Sequence, residues 1–260
     1  MTEVIDATDV RWRAAHTDAC DPHAAAASFA RTHARARSAF AFAAVAGALI
    51  VMLCAVFAAD AGATRTVARI DGAPLFVAPG LPMARPDGRS VRESGSAWVL
   101  RRRGGWLQIP TLLRRGSLRG WIRSADVREL HTTRLLVRVD LSERRVRVTA
   151  GARLLMSVPV GVGASGSPSP IGATSVSEFI PVTPRSIYSA QVYGPMIVAL
   201  RLWQIKPSPA FPFGGLMAFH GGDERGIGAA SSSGCFRMRN ADVGRFAALV
   251  REGTPVIIRP

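Results

Sequence analysis

The chain holds three cysteines, Cys20, Cys54 and Cys235, and only the last has neighbours that suit a reactive thiol. Cys54 lies inside an uninterrupted apolar run. Cys235 lies in Ser231-Ser232-Ser233-Gly234-Cys235-Phe236-Arg237, a polar loop with glycine directly before the thiol. A thiol becomes a nucleophile when a base takes its proton or an imidazolium holds it as thiolate. Downstream of the apolar run the chain has two histidines, His131 and His220. His131 sits beside Thr132 and Thr133 at a junction and is expected to be structural. His220 ends the apolar stretch Leu216-Met217-Ala218-Phe219, and Gly221-Gly222 keep space open after it. Gly234 has no β-carbon, so the amides of Gly234 and Cys235 can approach a developing oxyanion. Arg237 offers a guanidinium to a substrate carboxylate. These residue types point to nucleophilic acyl transfer. The competing reading is an idle cysteine and a core histidine.

Metal and redox chemistry fare worse. His16, Cys20 and His23 offer three ligands with no second cluster, so no metal site and no cofactor are expected. A thiol–disulfide role lacks a resolving cysteine beyond the apolar run.

The elements that must position these groups are mainly β. Leu136 to Leu141 alternates, Ser142 to Arg145 turns, and Val146 to Val148 alternates again, which predicts a hairpin with one buried face. Leu154 to Val162 continues as a strand, and residues 161–172 form a Gly/Ser/Pro-rich loop. A short helix is expected over Asp242 to Arg251, with Asp242 near its N-terminus, and a last strand over residues 253–258. Upstream, residues 65–130 carry short strands around Ala73 to Val77, Ala97 to Leu100, Gly105 to Ile109 and Arg119 to Ile122. That spacing predicts a small β-barrel.

Compartment follows from hydropathy and charge. Ala39 to Ala59 is 21 residues without a charge. As a helix rising about 1.5 Å per residue it matches a bilayer core. Arg31, Arg35 and Arg37 precede it, placing residues 1–38 in the cytoplasm as a tail. An uncleaved anchor is the favoured reading, with cleavage near Ala61-Gly62-Ala63 as its rival; either exports the rest of the chain to the periplasm or cell wall. The net charge is +15, and residues 65–130 and 131–260 each carry +8, with Asp60 as the one charge in 39–64. The excess lies outside the membrane, which argues against nucleic acid and for an anionic envelope surface.

His220-Gly221, Ile227-Gly228, Ser232-Ser233-Gly234-Cys235-Phe236-Arg237-Met238, Asn240, Asp242 and Gly253-Thr254-Pro255-Val256 together resemble the L,D-transpeptidase catalytic domain of YkuD type over residues 134–260. Ser169-Pro170-Ile171-Gly172 and Tyr193-Gly194-Pro195 extend the likeness. The resemblance implies a β-sandwich or barrel and cross-linking of peptidoglycan stem peptides. Cys235 would be the nucleophile and His220 the base, then acid. Gly234, Ser232 and Ser233 would shape the loop and oxyanion hole, with main-chain oxygens of Ser232 and Gly234 orienting the imidazole. Arg237, Gly221 and Tyr193 would face substrate. Ser233 departs from the His, Arg or Asn usual there. Asp223 and Glu224 are expected to be solvated loop acids rather than partners of His220. Gly105-Trp106-Leu107, Gly120-Trp121-Ile122 and Asp126-Val127 resemble a bacterial SH3-like domain, which implies binding of wall peptides. Two alternatives stay open: a carboxypeptidase or other wall hydrolase using the same site, and a non-catalytic wall-binding protein.

Overall fold

Short runs of β-branched and aromatic residues, each cut by glycine or proline, fold as separate strands in the computed structural model, which describes residues 63–85, 87–113, 119–204 and 215–260. The first module comprises β1 (Arg65–Pro74), β2 (Phe76–Ala78), β3 (Leu81–Pro82), β4 (Arg92–Trp98), β5 (Arg101–Arg103), β6 (Trp106–Pro110), β7 (Arg119–Arg123) and β8 (Val127–Thr133). They form two sheets, ordered β4-β1-β8 and β3-β2-β7-β6-β5. Ile70, Leu75, Leu107, Ile109 and Ile122 fill the space they enclose. The strand expected over residues 73–77 is broken at Leu75. Its side chain is buried, and its amide and carbonyl bond to Val91 and Met83, so the chain turns there from β1 into β2.

The second module runs through β9 (Leu135–Asp140), β10 (Arg145–Ala150), β11 (Arg153–Pro159), β12 (Val162–Gly163), β13 (Gly172–Pro181), helix α1 (Ala190–Tyr193), β14 (Met196–Trp203), β15 (Leu216–His220), β16 (Ala230–Ser232), β17 (Phe236–Arg237), helix α2 (Asn240–Leu249) and β18 (Pro255–Arg259). Eight strands form one sheet in the order β11-β10-β9-β18-β13-β14-β15-β17. The predicted hairpin is β9–β10, with Val137 opposite Val148 and Val139 opposite Val146, all fully buried. The strand expected over residues 154–162 ends instead at Pro159. Beyond it, β12 leaves the large sheet to pair in parallel with β16, beside the cysteine loop. Helix α2 spans ten residues and starts two earlier than expected. Its first amide, at Asn240, donates to Glu224 in a distant loop, and Asp242 sits in its first turn.

A buried arginine ties the modules together. Arg201 on β14 is 1% exposed and donates from Nε to the Ser96 carbonyl at 2.9 Å, from Nη1 to Glu93 at 2.7 Å, and from Nη2 to the Ser94 carbonyl. Every guanidinium nitrogen therefore has an acceptor, which is the condition for tolerating a charge out of water. The indole of Trp203 also donates to the Leu112 carbonyl at 2.7 Å. Among the described residues no helix is long and apolar enough to cross a membrane. Residues 1–38, with His16, Cys20 and His23, and the apolar run 39–59 lie outside the described residues.

Candidate active site

Strand alternation brings the candidate groups to one face. Across the sheet, Ile197 on β14 stands opposite His220 on β15, and His220 opposite Arg237 on β17. The adjacent row, Val198, Phe219 and Phe236, points the other way into the core and is fully buried. Cys235 comes one residue before Phe236, so its side chain returns to the face that carries His220 and Arg237. All three line a cavity of about 430 Å³ whose walls include Tyr193 and Trp203.

His220 is 4% exposed, and its Nδ1 lies 2.8 Å from the Gly221 carbonyl. A carbonyl only accepts, so Nδ1 carries the proton and Nε2 is left as the basic nitrogen. Tyr193 packs edge-on against the ring at 5.1 Å. The imidazole is thus oriented by Gly221, where the carbonyls of Ser232 and Gly234 were expected. Burial pushes the His220 pKa down to about 4, with the Arg237 charge acting in the same direction and the Gly221 bond opposing. Burial also raises the Cys235 thiol, against the Ala218 amide and the Arg237 charge, which favour thiolate. The thiol points toward the Leu216 carbonyl at 3.9 Å. Burial thus favours the neutral form of each group.

The cysteine loop is held by its carbonyls. The Ser232 carbonyl accepts from the Ala164 amide at 2.9 Å, that of Ser233 from Gln204 Nε2 at 2.9 Å and Ser167 Oγ at 3.1 Å, and that of Gly234 from Ser169 Oγ at 2.6 Å. The Ser232 hydroxyl accepts from the Gly234 amide at 3.1 Å and donates to the Cys235 carbonyl at 2.7 Å. Gly234 has φ +117°, and a β-carbon there would fall 2.0 Å from Gln204 Nε2. Glycine is required on both counts. Ser169 was named only as part of the resemblance, with no role assigned, and Ser167 and Gln204 were not predicted. A serine in a Gly/Ser/Pro-rich loop and a glutamine after a strand show no local pattern that marks them.

The other predicted residues divide. Ser232, Ser233, Arg237 and Tyr193 line the cavity. Arg237 Nε is buried without a hydrogen-bond partner among the described residues, which leaves a donor for an incoming acceptor. Gly221 does not line the cavity: it is buried where Gly194 and Asn240 crowd it, and a β-carbon would fall 2.2 Å from Asn240 Oδ1. Its contribution is the carbonyl on His220. Asp223 is engaged by Arg225 and held near pKa 2 by that guanidinium and amide, while Glu224 takes the Asn240 amide. His131 lies exposed on β8, opposite Val67. Among the described residues no three His, Cys, Asp or Glu side chains assemble as a metal site.

A cysteine on a tight glycine turn and a buried histidine lining the same cavity are the groups that nucleophilic acyl transfer requires. Residues 134–258 match the family model of the YkuD L,D-transpeptidase catalytic domain. A putative L,D-transpeptidase YkuD from Bacillus licheniformis is 29% identical over 143 residues, covering 52% of this chain and 71% of that protein. Among solved structures, a Bdellovibrio bacteriovorus protein aligns with TM-score 0.38 and 19% identity over 49% of this chain and 48% of its own. L,D-transpeptidase 3 from Mycobacterium tuberculosis aligns with TM-score 0.39 and 12% identity over 55% of this chain and 74% of its own. The chain therefore spans about half the length of the first of these structures.

Proposed function

We propose that the chain is a peptidoglycan L,D-transpeptidase acting through a cysteine acyl-enzyme. The observation that carries this reading is the convergence of Cys235, His220 and Arg237 on one cavity, with the imidazole tautomer set by Gly221. In the first half-reaction His220 Nε2 takes the thiol proton as sulfur attacks the carbonyl of the third residue in a donor tetrapeptide stem. Because burial favours the neutral form of both groups, proton transfer accompanies attack rather than preceding it. The oxyanion falls to the Cys235 amide first, since the Gly234 amide already donates to Ser232. Collapse breaks the peptide bond, and His220 returns the proton to the departing D-alanine amine. In the second half-reaction the side-chain amine of a neighbouring stem attacks the thioester, loses a proton to His220, and expels the thiolate, which is reprotonated.

Residues 39–59 would anchor the chain with the catalytic segment outside, on the strength of their unbroken apolarity. Residues 65–130 would be the SH3-like module, supported by their two small sheets around one core. The whole assignment is tested by incubating the full chain with tetrapeptide-bearing muropeptides. Cross-linked dimers with released D-alanine are expected, and both should vanish in Cys235→Ala. Trimmed tripeptides without dimers would show that water, not an amine, takes the acyl group.

A further inference from the structure

The cavity floor has an acid at its far end. On β13, Glu178 pairs with Ala199 on β14, and Ala199 pairs with Ala218 on β15. Cys235 continues this row one step before the Phe219–Phe236 pair. The row therefore reads Glu178, Ala199, Ala218, Cys235 across four strands, all lining the cavity. Two alanines between the ends leave a trough where larger residues would fill it. In the next row on the same face, Ile180, Ile197 and His220 form one wall.

Among the described residues Glu178 is the one acidic residue lining the cavity, in a chain with 33 basic and 18 acidic side chains. It is exposed, and its carboxylate has no hydrogen bond or ion pair among the described residues. Three other acids are engaged: Glu93 by Arg201, Asp223 by Arg225, and Glu224 by the Asn240 amide.

We infer that Glu178 is a subsite for a primary ammonium, namely the side-chain terminus of the donor residue whose carbonyl Cys235 attacks. This rests on the transpeptidase reading above. Three strand spacings of about 4.8 Å put the Glu178 and Cys235 backbones about 14 Å apart. The glutamate and cysteine side chains each span part of that gap from their own end. An extended diamino-acid side chain adds roughly 6 Å from its α-carbon, by bond lengths alone. Laid along the alanine floor, such a chain sets its carbonyl at the sulfur and its ammonium at the carboxylate. The apolar stem meets Ala199 and Ala218, and the charged end meets an unpaired acid. The other polar end of the cavity, Arg237, repels an ammonium and so fixes the direction in which the donor lies.

The test uses the full chain and two tetrapeptide donors, one with a free terminal ammonium on its third residue and one with that nitrogen acetylated. D-alanine release is followed with a fixed, separate amine acceptor. The free donor is expected to have the lower KM. Glu178→Gln should raise that KM about tenfold, leave kcat within about twofold, and leave the acetylated donor unchanged; Glu178→Asp should restore part of the preference. Equal loss on both donors, or no loss on either, overturns the subsite. If the unmodified chain releases D-alanine from neither donor, the transpeptidase reading fails, and the subsite is judged by binding alone. Cys235→Ala should then bind the free peptide at least fivefold more tightly than the acetylated one, and Cys235→Ala with Glu178→Gln should not. Equal affinities in Cys235→Ala overturn the subsite independently of turnover.

Discussion

The seam between the two modules and the loop that carries Cys235 are both polar and both largely buried, yet they are built from opposite materials. The seam uses a full charge: Arg201 is sealed from water and satisfied by Glu93 and two carbonyls. The loop uses neutral bonds throughout, with serine hydroxyls, an amide and a glutamine gripping carbonyls. Among the described residues, Cys235 and His220 have no carboxylate partner. The difference follows from their tasks. A buried ion pair holds two bodies in one register, because breaking it strands a charge. A carboxylate hydrogen-bonded to His220 would favour imidazolium, and the ring would then have no free lone pair for the thiol proton. Neutral bonds aim the loop without shifting that balance. The Arg237 charge acts on both groups in the useful direction, since it favours thiolate and disfavours imidazolium.

This contrast can be broken at several points. The largest effect is expected at the seam. Glu93→Ala leaves the Arg201 guanidinium buried without its counter-charge and should cost about 3–5 kcal/mol in urea unfolding. Replacing both partners, as in Glu93→Leu with Arg201→Met, should cost markedly less, because no charge is stranded. Equal losses would mean that the seam works by shape alone.

Next comes the pH dependence of stability. The folded pKa of His220, about 4, lies below the ordinary 6.5. The unfolded chain therefore binds the extra proton first as pH falls. Stability from this group is complete above pH 6.5 and is lost between 6.5 and about 4. The loss should reach roughly 3 kcal/mol at about 1.4 kcal/mol per unit. In His220→Gln the slope across that window should flatten. An unchanged slope would place the acid sensitivity elsewhere.

The smallest effect is expected in the loop cradle. Ser169→Ala removes a single neutral bond to the Gly234 carbonyl and should cost about 1 kcal/mol of stability. Its signature is kinetic: kcat should fall about tenfold with KM little changed, since the bond aims the nucleophile rather than binding substrate. A rise in KM alone would contradict the positioning role.

What could be read in the chain beforehand tracks how local each signal is. The β9–β10 hairpin is written in its own alternation, and the pairing of Val137 with Val148 follows from it. Cys235, His220 and Arg237 stand out by residue type and spacing, Tyr193 only through the family resemblance, and all four line one cavity. The start of α2 was misplaced by two residues because the acid that receives its first amide, Glu224, comes from another loop. The continuous strand expected to Val162 was cut for a similar reason: β12 pairs with β16, a partner nearly seventy residues away that no alternation reveals. Ser167 and Gln204 belong to this class as well, and so does Glu178. A lone glutamate inside a strand looks like an ordinary solvent-facing residue until the register places it in line with the sulfur.

The central claim is that the Cys235 sulfur becomes acylated with His220 as its base. Intact-mass spectrometry of the full chain mixed with a tetrapeptide donor, without an amine acceptor, measures this directly. The unmodified chain should gain the mass of the donor acyl group after loss of D-alanine. Cys235→Ala should gain nothing, and His220→Gln should acquire the adduct at least a hundredfold more slowly. An adduct that persists in Cys235→Ala, or one that forms equally fast in His220→Gln, would contradict the account.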